Sequence, residues 1–283
     1  MTLAIVTATT DPERARACIR SWGGSPFVGI VNGRPWTPPE KPPGEAEGDL
    51  VRHWILVPEY LGTVPAFRLG VDYCLENLLD ADIIASLHDD VEILQSDWVA
   101  QVERHFARHP ACGLLGFGGA IGLGASDMYE KPYDPMSLAR IGFRSNLVDA
   151  EVHGIRSLLP ERVACLDGFS QIGRRDFWEG WGYNRHQADG HADPQYRPWT
   201  ILESLGLRHH IYDGGLGCLA ARYGWETWYL PMRCRHLGGQ TAVGDPDYQA
   251  WAKTQVAGGD QGFWAEGHRL VYDSFRDVLP LRI

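Results

Sequence analysis

The sequence lacks an excess of basic residues. Its 283 residues include 26 Lys and Arg against 36 Asp and Glu, which gives a formal net charge of −10 at pH 7. Nonspecific binding to nucleic acid or to an anionic membrane requires a basic face. The composition therefore gives no strong indication of nucleic-acid binding. A local basic groove would still be compatible with the net charge of −10.

Cysteine pairs, a secretory signal and a membrane span are also missing. The six cysteines are scattered without a C-x-x-C pair, so we expect reduced thiols. The opening residues MTLAIVTATT enter a strand pattern at once, without the basic region and apolar core of a signal peptide. The longest apolar run, ACGLLGFGGAIGLGA, is too short and too rich in glycine to cross a bilayer. We therefore expect a cytoplasmic protein with no membrane span.

Two common nucleotide-binding motifs are absent. Dinucleotide-binding folds need G-x-G-x-x-G directly after the first strand, so that the backbone can approach a pyrophosphate. Here the first strand is followed by TATTDPERA, which contains no glycine, and the later GFGGAIGLG has Ile121 at the third glycine position. No G-x-x-x-x-G-K-[ST] loop occurs either. These absences argue against NAD, FAD and P-loop chemistry.

Apolar runs alternate with helical patterns through the first half of the chain. Strand patterns occupy residues 3–8, FVGIVNG, RHWILVPE and DIIASLHDD, and helical periodicity marks TTDPERARACIRSW, VPAFRLGVDYCLENLL and SDWVAQVERHFARHP. In the last segment Ser96 is the expected cap, and we expect His105 and His109 on an exposed, charged face. The alternation predicts an α/β fold with a mostly parallel, doubly wound, Rossmann-like sheet flanked by helices.

The second half is less regular, with loop-rich stretches between shorter strand and helix patterns. No internal repeat and no clean linker divides it from the first half. We therefore predict one domain over residues 1–240, followed by a C-terminal extension over residues 241–283.

Acidic residues follow a buried strand in the run IIASLHDDVEI, residues 83–93. Asp89 and Asp90 stand at the carboxyl end of that predicted strand, where open parallel sheets bind ligands. Adjacent carboxylates repel unless a cation or a shared proton relieves them. Mg²⁺ and Mn²⁺ take oxygen ligands, often from phosphates, and Mn²⁺ also accepts imidazole. The pattern indicates a nucleoside diphosphate bridged by a metal, and a solvated turn is the alternative.

Three segments then form an ordered set: IVTATTDPERARACIRSW, LHDDVEI and YDGGLGCLAARYGWETWYLPMRCRHLGG. Over roughly residues 3 to 240 they resemble family-2-type glycosyltransferases of the GT-A fold. The resemblance implies a hexosyltransferase-type enzyme that moves a sugar from a nucleoside-diphosphate sugar to an acceptor hydroxyl. It also implies dependence on Mn²⁺ or Mg²⁺ and inversion at the sugar carbon. The donor-binding half would span about residues 1–120, the acceptor half about 121–240, and a lid 241–283.

The resemblance implies six donor-binding residues: Thr7, Thr9, Asn32, Arg68, Asp89 and Asp167. The two threonines match positions that line the nucleotide site, and Asp89 would lie near the ribose or sugar. Asn32 stands where such enzymes often place an Asp that meets the base. LGTVPAFRLG resembles a G-x-x-x-A-x-N-x-G segment with Arg68 at the Asn position, where it could contact phosphate. Asp167 in CLDGFSQIGRR maps near the donor sugar or the acceptor.

A metal site and a catalytic base follow from the same resemblance. In the D-x-D motif of the family the final Asp is the firm metal ligand, which maps to Asp90, and His88 takes the first acidic position. His236 in RCRHLGG matches a late His that often completes the metal site. Asp213 in HIYDGGLG matches the first residue of an acidic pair, whose second position is Gly215 here. Asp213 would deprotonate the acceptor hydroxyl as general base.

Other interpretations stay open. Asp213 is also a favoured N-cap type for the helix that follows, and His236 is compatible with a structural role. A nucleotidyltransferase would use an acidic strand end on this architecture, although it usually carries a glycine-rich basic loop that is missing here. The departures at His88, Arg68 and Gly215 leave a noncatalytic nucleotide- or carbohydrate-binding module as a third hypothesis. The sequence does not identify the sugar, the nucleotide or the acceptor, and a retaining mechanism is the alternative to inversion.

Overall fold

The structure, a computed structural model, describes residues 1–33, 52–124, 138, 140–148, 154–181, 193–236 and 245–283. Residues 34–51, 125–137, 139, 149–153, 182–192 and 237–244 lie outside the described residues, and the polar loop expected near 183–200 falls partly among them. Within the described ranges, none of the helices combines the length and the hydrophobicity that a bilayer crossing demands.

The described strands and helices follow the predicted alternation in the first half of the chain. The strands are β1 (Leu3–Thr9), β2 (Phe27–Asn32), β3 (Arg52–Val57), β4 (Ile83–Leu87), β5 (Val91–Ile93), β6 (Cys112–Gly116), β7 (Gly118–Leu123), β8 (Arg140–Ser145), β9 (Glu161–Arg162), β10 (Cys165–Leu166), β11 (Ser170–Arg174), β12 (Glu226–Tyr229), β13 (Cys234–His236) and β14 (Leu281–Arg282). The α-helices are α1 (Pro12–Ser21), α2 (Thr63–Asn77), α3 (Trp98–Arg108), α4 (Arg175–Trp178), α5 (Pro198–Ser204), α6 (Tyr212–Tyr223), α7 (Pro246–Gln255) and α8 (Asp260–Ser274).

The largest sheet has the strand order β3-β2-β1-β4-β11-β6-β12-β9. Strands β3, β2, β1 and β4 run parallel, β12 runs parallel to β6, and β11 is antiparallel to both β4 and β6. The chain builds outward from β1 to β3 and then returns to place β4 on the other side of β1. The expected α/β class, a mostly parallel Rossmann-like sheet flanked by helices, is confirmed.

Alternating side chains of β1 enter two separate cores, one on each face of the sheet. Val6 lies in a cluster with residues of α2 and α6. Ile5 lies in a second cluster with Trp22 and Trp98. The indole N–H of Trp22 donates to the carbonyl of Val91 at 2.9 Å, so this buried polar group is satisfied. Packing on both faces anchors the ends of β1 and β4.

Two smaller sheets complete the frame of the site. Strand β7 pairs with β8, β10 and β14, and the last of these pairings sets Leu281 opposite Leu123. Strand β13 pairs antiparallel with β5, which sets His236 opposite Val91. Because Asp90 directly precedes Val91, this register brings His236 to the acidic strand end.

The six cysteines, all within the described residues, are buried thiols at Cys18, Cys74, Cys112, Cys165, Cys218 and Cys234. Burial raises the pKa of Cys74, and that of Cys165, to about 12. These two thiols are therefore protonated at neutral pH, and the six buried cysteines pack as small apolar side chains.

Two local expectations for α3 are wrong. The N-cap position of the helix is Asp97, not Ser96. His105 is only 5% exposed, and its ring stacks on His109 and meets the ring of Trp228 at 5.0 Å. The charged helix pattern suggested a solvated face, but β12, distant in sequence, covers this side of the helix with Trp228.

Candidate active site

A cavity of about 180 Å³ lies at the carboxyl ends of β1 and β4, beside the point where the strand order reverses. Ligands of open α/β sheets bind at such a position. The cavity is lined by Ala8, Thr9, Thr10, Asn32, Tyr60, Thr63, Phe67, His88, Asp89, Asp90, His209, His210, Tyr212 and His236. The fold therefore gathers five of the predicted site residues here: Thr9, Asn32, Asp89, Asp90 and His236.

Three side chains of this cavity lie within reach of a single cation. Asp90 Oδ1 is 3.4 Å from His236 Nε2 and 4.0 Å from His88 Nδ1. One ligand atom from each residue lies within 4.8 Å of the others. A carboxylate with two imidazoles suits Mn²⁺ and other first-row transition metals better than Mg²⁺. The two residues predicted for the metal are brought together, and His88, which the family pattern marked only as a departure, joins them.

The two imidazoles of this group titrate differently. Burial lowers the pKa of His88 to about 4, so the ring is neutral at pH 7 and can act as a ligand. Burial acts in the same direction on His236, but the adjacent Asp90 carboxylate outweighs it and raises the pKa of His236. A divalent cation would replace the proton that this imidazole otherwise shares with Asp90. The donor set therefore fits a divalent transition metal.

A hydrogen-bond chain sets the orientation of His88. Its Nε2 lies 2.6 Å from the hydroxyl oxygen of Tyr212, which donates to the carbonyl of Gly168 at 3.2 Å. Because the tyrosine proton goes to that carbonyl, the hydroxyl oxygen accepts from Nε2–H of the neutral imidazole. Nδ1 of His88 is then an acceptor that faces Asp90. Tyr212 was not among the predicted residues, since its sequence context resembles that of any core aromatic.

Asp89 is held by the end of β1. Thr9 Oγ1 donates to Asp89 Oδ2 at 2.6 Å and accepts from the backbone N–H of Asp11 at 2.9 Å. Thr7 lies elsewhere, because its side chain is fully buried and its hydroxyl donates to the carbonyl of Leu87 at 2.7 Å. Thr7 therefore links β1 to β4 inside the sheet and stays outside the cavity lining.

Two further residues predicted for the donor, Asn32 and Arg68, are placed differently from each other. Asn32, at the end of β2, lines the cavity, and its Oδ1 accepts from the N–H of Leu61 at 2.8 Å. Arg68 on α2 forms ion pairs with Asp72, at 3.2 Å, and with Glu203 of α5. The structure therefore does not bring Arg68 to the cavity, because its guanidinium is engaged on the outer side of α2.

Asp213 lies in the first turn of α6, and Arg140 of β8 reaches it. Arg140 Nη2 is 2.6 Å from Asp213 Oδ2, and Nη1 is 4.0 Å from Asp167 Oδ1. The N–H of Gly214 donates to Asp213 Oδ1 at 2.8 Å. Burial raises the pKa of Asp167. Burial would lower the pKa of Arg140, but the two carboxylates outweigh it and raise that pKa. Arg140 lies in no recognisable motif, so the sequence gives no sign of its place beside Asp213.

The start of α6 contradicts one alternative and shows why a second carboxylate is missing there. The N-cap position is Ile211, in the left-handed region at φ 64°, so the alternative in which Asp213 caps the helix is wrong. Gly215, the second acidic position of the resemblance, packs against α5, and a Cβ there would lie 2.7 Å from Leu202 Cδ2. A second carboxylate would therefore require repacking of Leu202.

A second polar group, which we call the C-terminal latch, joins the last two helices to the cavity wall. His210 Nε2 lies 2.7 Å from Asp260 Oδ1, which also accepts from the hydroxyl of Tyr248. His209 Nδ1 lies 2.7 Å from Thr63 Oγ1. His209, His210 and Asp260 have the spacing of a metal-binding group. Since these hydrogen bonds already engage all three residues, we interpret the group as a structural connection.

The C-terminal latch predicts a loss of stability in acid. The hydrogen bond from His210 lowers the pKa of Asp260 from its ordinary 3.8 to about 2. A depressed carboxyl pKa stabilises the fold above about pH 4, and this contribution disappears as the pH falls toward 2. Between about pH 5 and pH 2.5, we expect the wild type to lose about 1 kcal/mol more unfolding free energy than an Asp260→Asn variant. Urea denaturation at several pH values measures this difference.

The control for the latch is Asp80→Asn, an exposed carboxylate before β4. This variant should keep the acid dependence of the wild type, because it leaves the His210–Asp260 contact intact. Identical acid dependence in the wild type and in Asp260→Asn would contradict the assigned role of Asp260.

Comparisons with known proteins concern the architecture. No family model matches the sequence, and no curated protein matches it. The structure is similar to that of A197 from STIV, at 10% sequence identity over 84% of this chain and 86% of that chain, with a TM-score of 0.39. It is also similar to GalNAc-T7 solved with UDP, GalNAc and Mn²⁺, at 14% identity over 83% of this chain and 43% of that chain, with a TM-score of 0.48. The chain thus spans less than half of the GalNAc-T7 chain, and the ligands named are ligands of that protein.

Proposed function

We propose that this protein is a metal-dependent glycosyltransferase that uses a nucleoside-diphosphate sugar as its donor. The observation that carries the proposal is the convergence of His88, Asp90 and His236 in one cavity at the carboxyl ends of β1 and β4. Asp213, the proposed base, directly follows Tyr212, which lines the cavity and lies 2.6 Å from His88 Nε2. The ordered resemblance to family-2-type glycosyltransferases supports the same assignment.

The cavity residues would have distinct roles in donor binding. His88, Asp90 and His236 would hold Mn²⁺ in preference to Mg²⁺, and the bound cation would neutralise charge on the departing nucleoside diphosphate. Asp89, oriented by Thr9, can accept hydrogen bonds from ribose or sugar hydroxyls. Buried carboxylates would repel a diphosphate in the absence of a cation, so donor binding should depend on the metal.

Asp213 would act as the general base. In an inverting transfer its carboxylate takes the proton of the acceptor hydroxyl as the acceptor oxygen attacks the sugar carbon. Arg140 holds this carboxylate in place, and Asp167 lies beside Arg140. We assign Asp167 to binding of the donor sugar or the acceptor. Thr7 and Arg68 are left out of the proposed site, because their side chains lie away from the cavity.

We assign the parts of the chain accordingly. Residues 1–240 would form the transferase domain, with the donor on about 1–120 and the acceptor on about 121–240, and 241–283 would form a lid. The C-terminal latch supports the lid, since Asp260 of the extension contacts His210, which lines the cavity.

One observation favours a second candidate, a noncatalytic module that binds a metal and a nucleotide. Both carboxylate oxygens of Asp213 are engaged, one by Arg140 and the other by the N–H of Gly214. A base in that state must release or share one contact before it can accept a proton. Such a module would bind nucleoside diphosphates with Mn²⁺ and transfer nothing.

A thermal-shift screen of nucleotide sugars, with and without Mn²⁺, tests the proposal. A true donor raises the melting temperature in the presence of Mn²⁺, because it binds the folded state alone. Release of a nucleoside diphosphate from that donor then indicates a glycosyltransferase, and release of pyrophosphate indicates a nucleotidyltransferase. Binding with no release, across a panel of acceptors, indicates the noncatalytic module. The proposal fails if no nucleotide sugar shifts the melting temperature.

The hydrogen-bond chain through Tyr212 leads to a further prediction. A Tyr212→Phe variant keeps the buried ring but loses the hydroxyl that receives Nε2–H of His88. Groups that orient a metal-binding imidazole typically contribute 10–100-fold to metal affinity. We therefore expect Mn²⁺ binding to weaken by about 10-fold or more in isothermal titration calorimetry.

The control for this prediction is Tyr229→Phe, another buried tyrosine whose hydroxyl donates to a backbone carbonyl, that of Ser157, at 3.3 Å. It should show a comparable change in melting temperature and no change in Mn²⁺ affinity. If Tyr212→Phe lowers the melting temperature while binding Mn²⁺ as well as the wild type does, the hydroxyl has only a structural role.

A further inference from the structure

The C-terminal latch carries the donor atoms of a transition-metal site. His209, His210 and Asp260 each offer one ligand atom, and these atoms lie within 4.8 Å of one another. Both histidines line the cavity of the candidate active site, while Asp260 is the first residue of α8. The side chains of His210 and Asp260 are 17% and 18% exposed, so a cation from solvent can reach them. Two histidines and one carboxylate are also the protein ligands of well-known catalytic zinc sites.

The protonation states of the latch at neutral pH suit a cation. Burial lowers the pKa of His209 well below its ordinary 6.5, so this ring is neutral and one of its nitrogens can act as a ligand. The hydrogen bond from His210 lowers the pKa of Asp260 to about 2, so Asp260 is a carboxylate and the shared proton belongs to His210 Nε2. A divalent cation can take the place of that proton.

Small movements convert the latch into a coordination site. Zinc bonds of about 2.0–2.1 Å place the ligand atoms of a tetrahedral site about 3.4 Å apart. His210 Nε2 and Asp260 Oδ1 are 2.7 Å apart, so a cation separates them by about 0.7 Å. The hydroxyl of Thr63, 2.7 Å from His209 Nδ1, can donate or accept, so it is compatible with either tautomer of that ring.

The surroundings of the latch are negatively charged. The pKa of Tyr60, which lines the cavity, is raised first by burial and then by the charges of three carboxylates, Asp245, Asp89 and Asp260. The ring of Tyr60 contacts that of Tyr248, whose hydroxyl donates to Asp260. A divalent cation at the latch offsets part of this charge. The local charge therefore favours a cation there, independently of the spacing of the three ligands.

We propose that the C-terminal latch is a second metal site, which binds Zn²⁺ through His209, His210 and Asp260. The ion links α8 to the segment before α6 in place of a contact made through one proton, so the connection described above is retained and strengthened. Mn²⁺ stands at the weak end of the affinity series for such ligands. Because the ion must first displace existing hydrogen bonds, the latch selects Zn²⁺ over Mn²⁺. None of the three residues belongs to the donor-metal group, so this assignment does not depend on transferase activity.

Zinc titration of variants without the donor-metal carboxylate tests this assignment. Calorimetry on the full-length Asp90→Asn protein should show one Zn²⁺ site and no comparable binding of Mn²⁺. Adding Asp260→Asn should weaken the Zn²⁺ binding by about 100-fold or more, because loss of a ligand exceeds the 10–100-fold effect of an orienting group. The matched control is Asp90→Asn/Asp80→Asn, which changes an exposed carboxylate before β4 and should bind Zn²⁺ as Asp90→Asn does.

Hydrogen exchange shows whether the ion links the C-terminal helices to the cavity wall. Zn²⁺ should slow amide exchange within residues 245–283 of Asp90→Asn and leave it unchanged in Asp90→Asn/Asp260→Asn. The metal-free melting temperature shows whether the double variant is folded. If it is unfolded, His209→Gln takes the place of Asp260→Asn in both measurements.

The outcomes separate the second metal site from the proposed function. Absence of Zn²⁺ binding in folded Asp90→Asn overturns the second site, as does Zn²⁺ binding that survives Asp260→Asn or His209→Gln. Either result leaves the proposed function standing, because that function depends on Mn²⁺-dependent binding of a donor by the wild type. Zn²⁺ binding that is lost with Asp260, in a protein whose wild type binds no nucleotide sugar, supports the second site and overturns the transferase.

Discussion

An Asp90→Asn variant is expected to lose Mn²⁺ binding and, with it, Mn²⁺-dependent binding of nucleoside diphosphates. Asp90 is buried, and its Oδ1 is the atom nearest to the nitrogens of both His236 and His88. Asparagine keeps the shape but removes the charge that compensates a divalent cation. Residues that merely orient a metal ligand contribute 10–100-fold to affinity, so loss of the carboxylate should cost about 100-fold or more. Calorimetry with Mn²⁺ alone, and then with UDP, ADP and GDP as probes, measures the loss.

The control for Asp90 is Asp80→Asn, the same substitution at an exposed position before β4. It should bind Mn²⁺ as the wild type does. The metal-free melting temperature of Asp90→Asn shows whether the fold is retained, and loss of one of two adjacent carboxylates should leave it folded. Mn²⁺ affinity within a few-fold of wild type in a folded Asp90→Asn protein would remove the basis of the proposed function.

The second large effect is expected at Asp213. An Asp213→Asn variant should turn over the donor about 10²–10⁴-fold more slowly, because a positioned general base contributes that much to proton transfer. Donor binding in the presence of Mn²⁺ should be unchanged, since the metal group lies on His88, Asp90 and His236. The assay is release of nucleoside diphosphate at saturating donor, using the donor that the thermal-shift screen identifies.

The ion pair with Arg140 gives a second explanation for a slow Asp213→Asn variant, because loss of a carboxylate that only stabilises the fold would also lower turnover. Removing one partner of this partly buried pair should lower the unfolding free energy by about 1–3 kcal/mol. An Arg140→Gln/Asp213→Asn double variant removes both charges and should recover stability in urea denaturation. If Asp213 is the base, the double variant stays inactive. Recovery of turnover together with stability would show that the carboxylate only supports the fold.

The parts of the fold that sequence patterns predicted are those with local signals. The alternation of apolar runs and helical periods predicted β1 to β4 and the helices between them, because burial on both faces imposes near-continuous apolar strands. The acidic run after β4 predicted that Asp89 and Asp90 would stand at a strand end, and both line the cavity. The place of His236 depends on the pairing of β13 with β5. The position of His236 after the last predicted strand suggested a role, but no local sequence pattern determines how β13 pairs with β5.

Long-range packing explains what could not be predicted. Arg140 meets Asp213 across 73 positions of sequence, and neither residue carries a pattern that marks the other. Arg68 forms an ion pair with Glu203 of α5, which keeps its guanidinium away from the cavity. The helical periodicity of α2 gives no sign of this partner. Thr7 lies on the same face of β1 as Thr9 but two residues further from the strand end. Its hydroxyl therefore donates to the carbonyl of Leu87 in the neighbouring strand β4. The proposed role of His88 had a chemical signal in the sequence, since imidazole is a common ligand of divalent transition metals.

The buried thiols give this molecule a set of built-in reporters of local opening. They are distributed over α1, α2, β6, β10, α6 and β13, so each samples a different part of the fold. Burial also raises the pKa of Cys234 to about 12, which leaves little thiolate to react with iodoacetamide in the closed state. Alkylation should therefore proceed through transient unfolding of individual elements. The order in which the six sites are modified, read by mass spectrometry, would rank those elements by how readily they open.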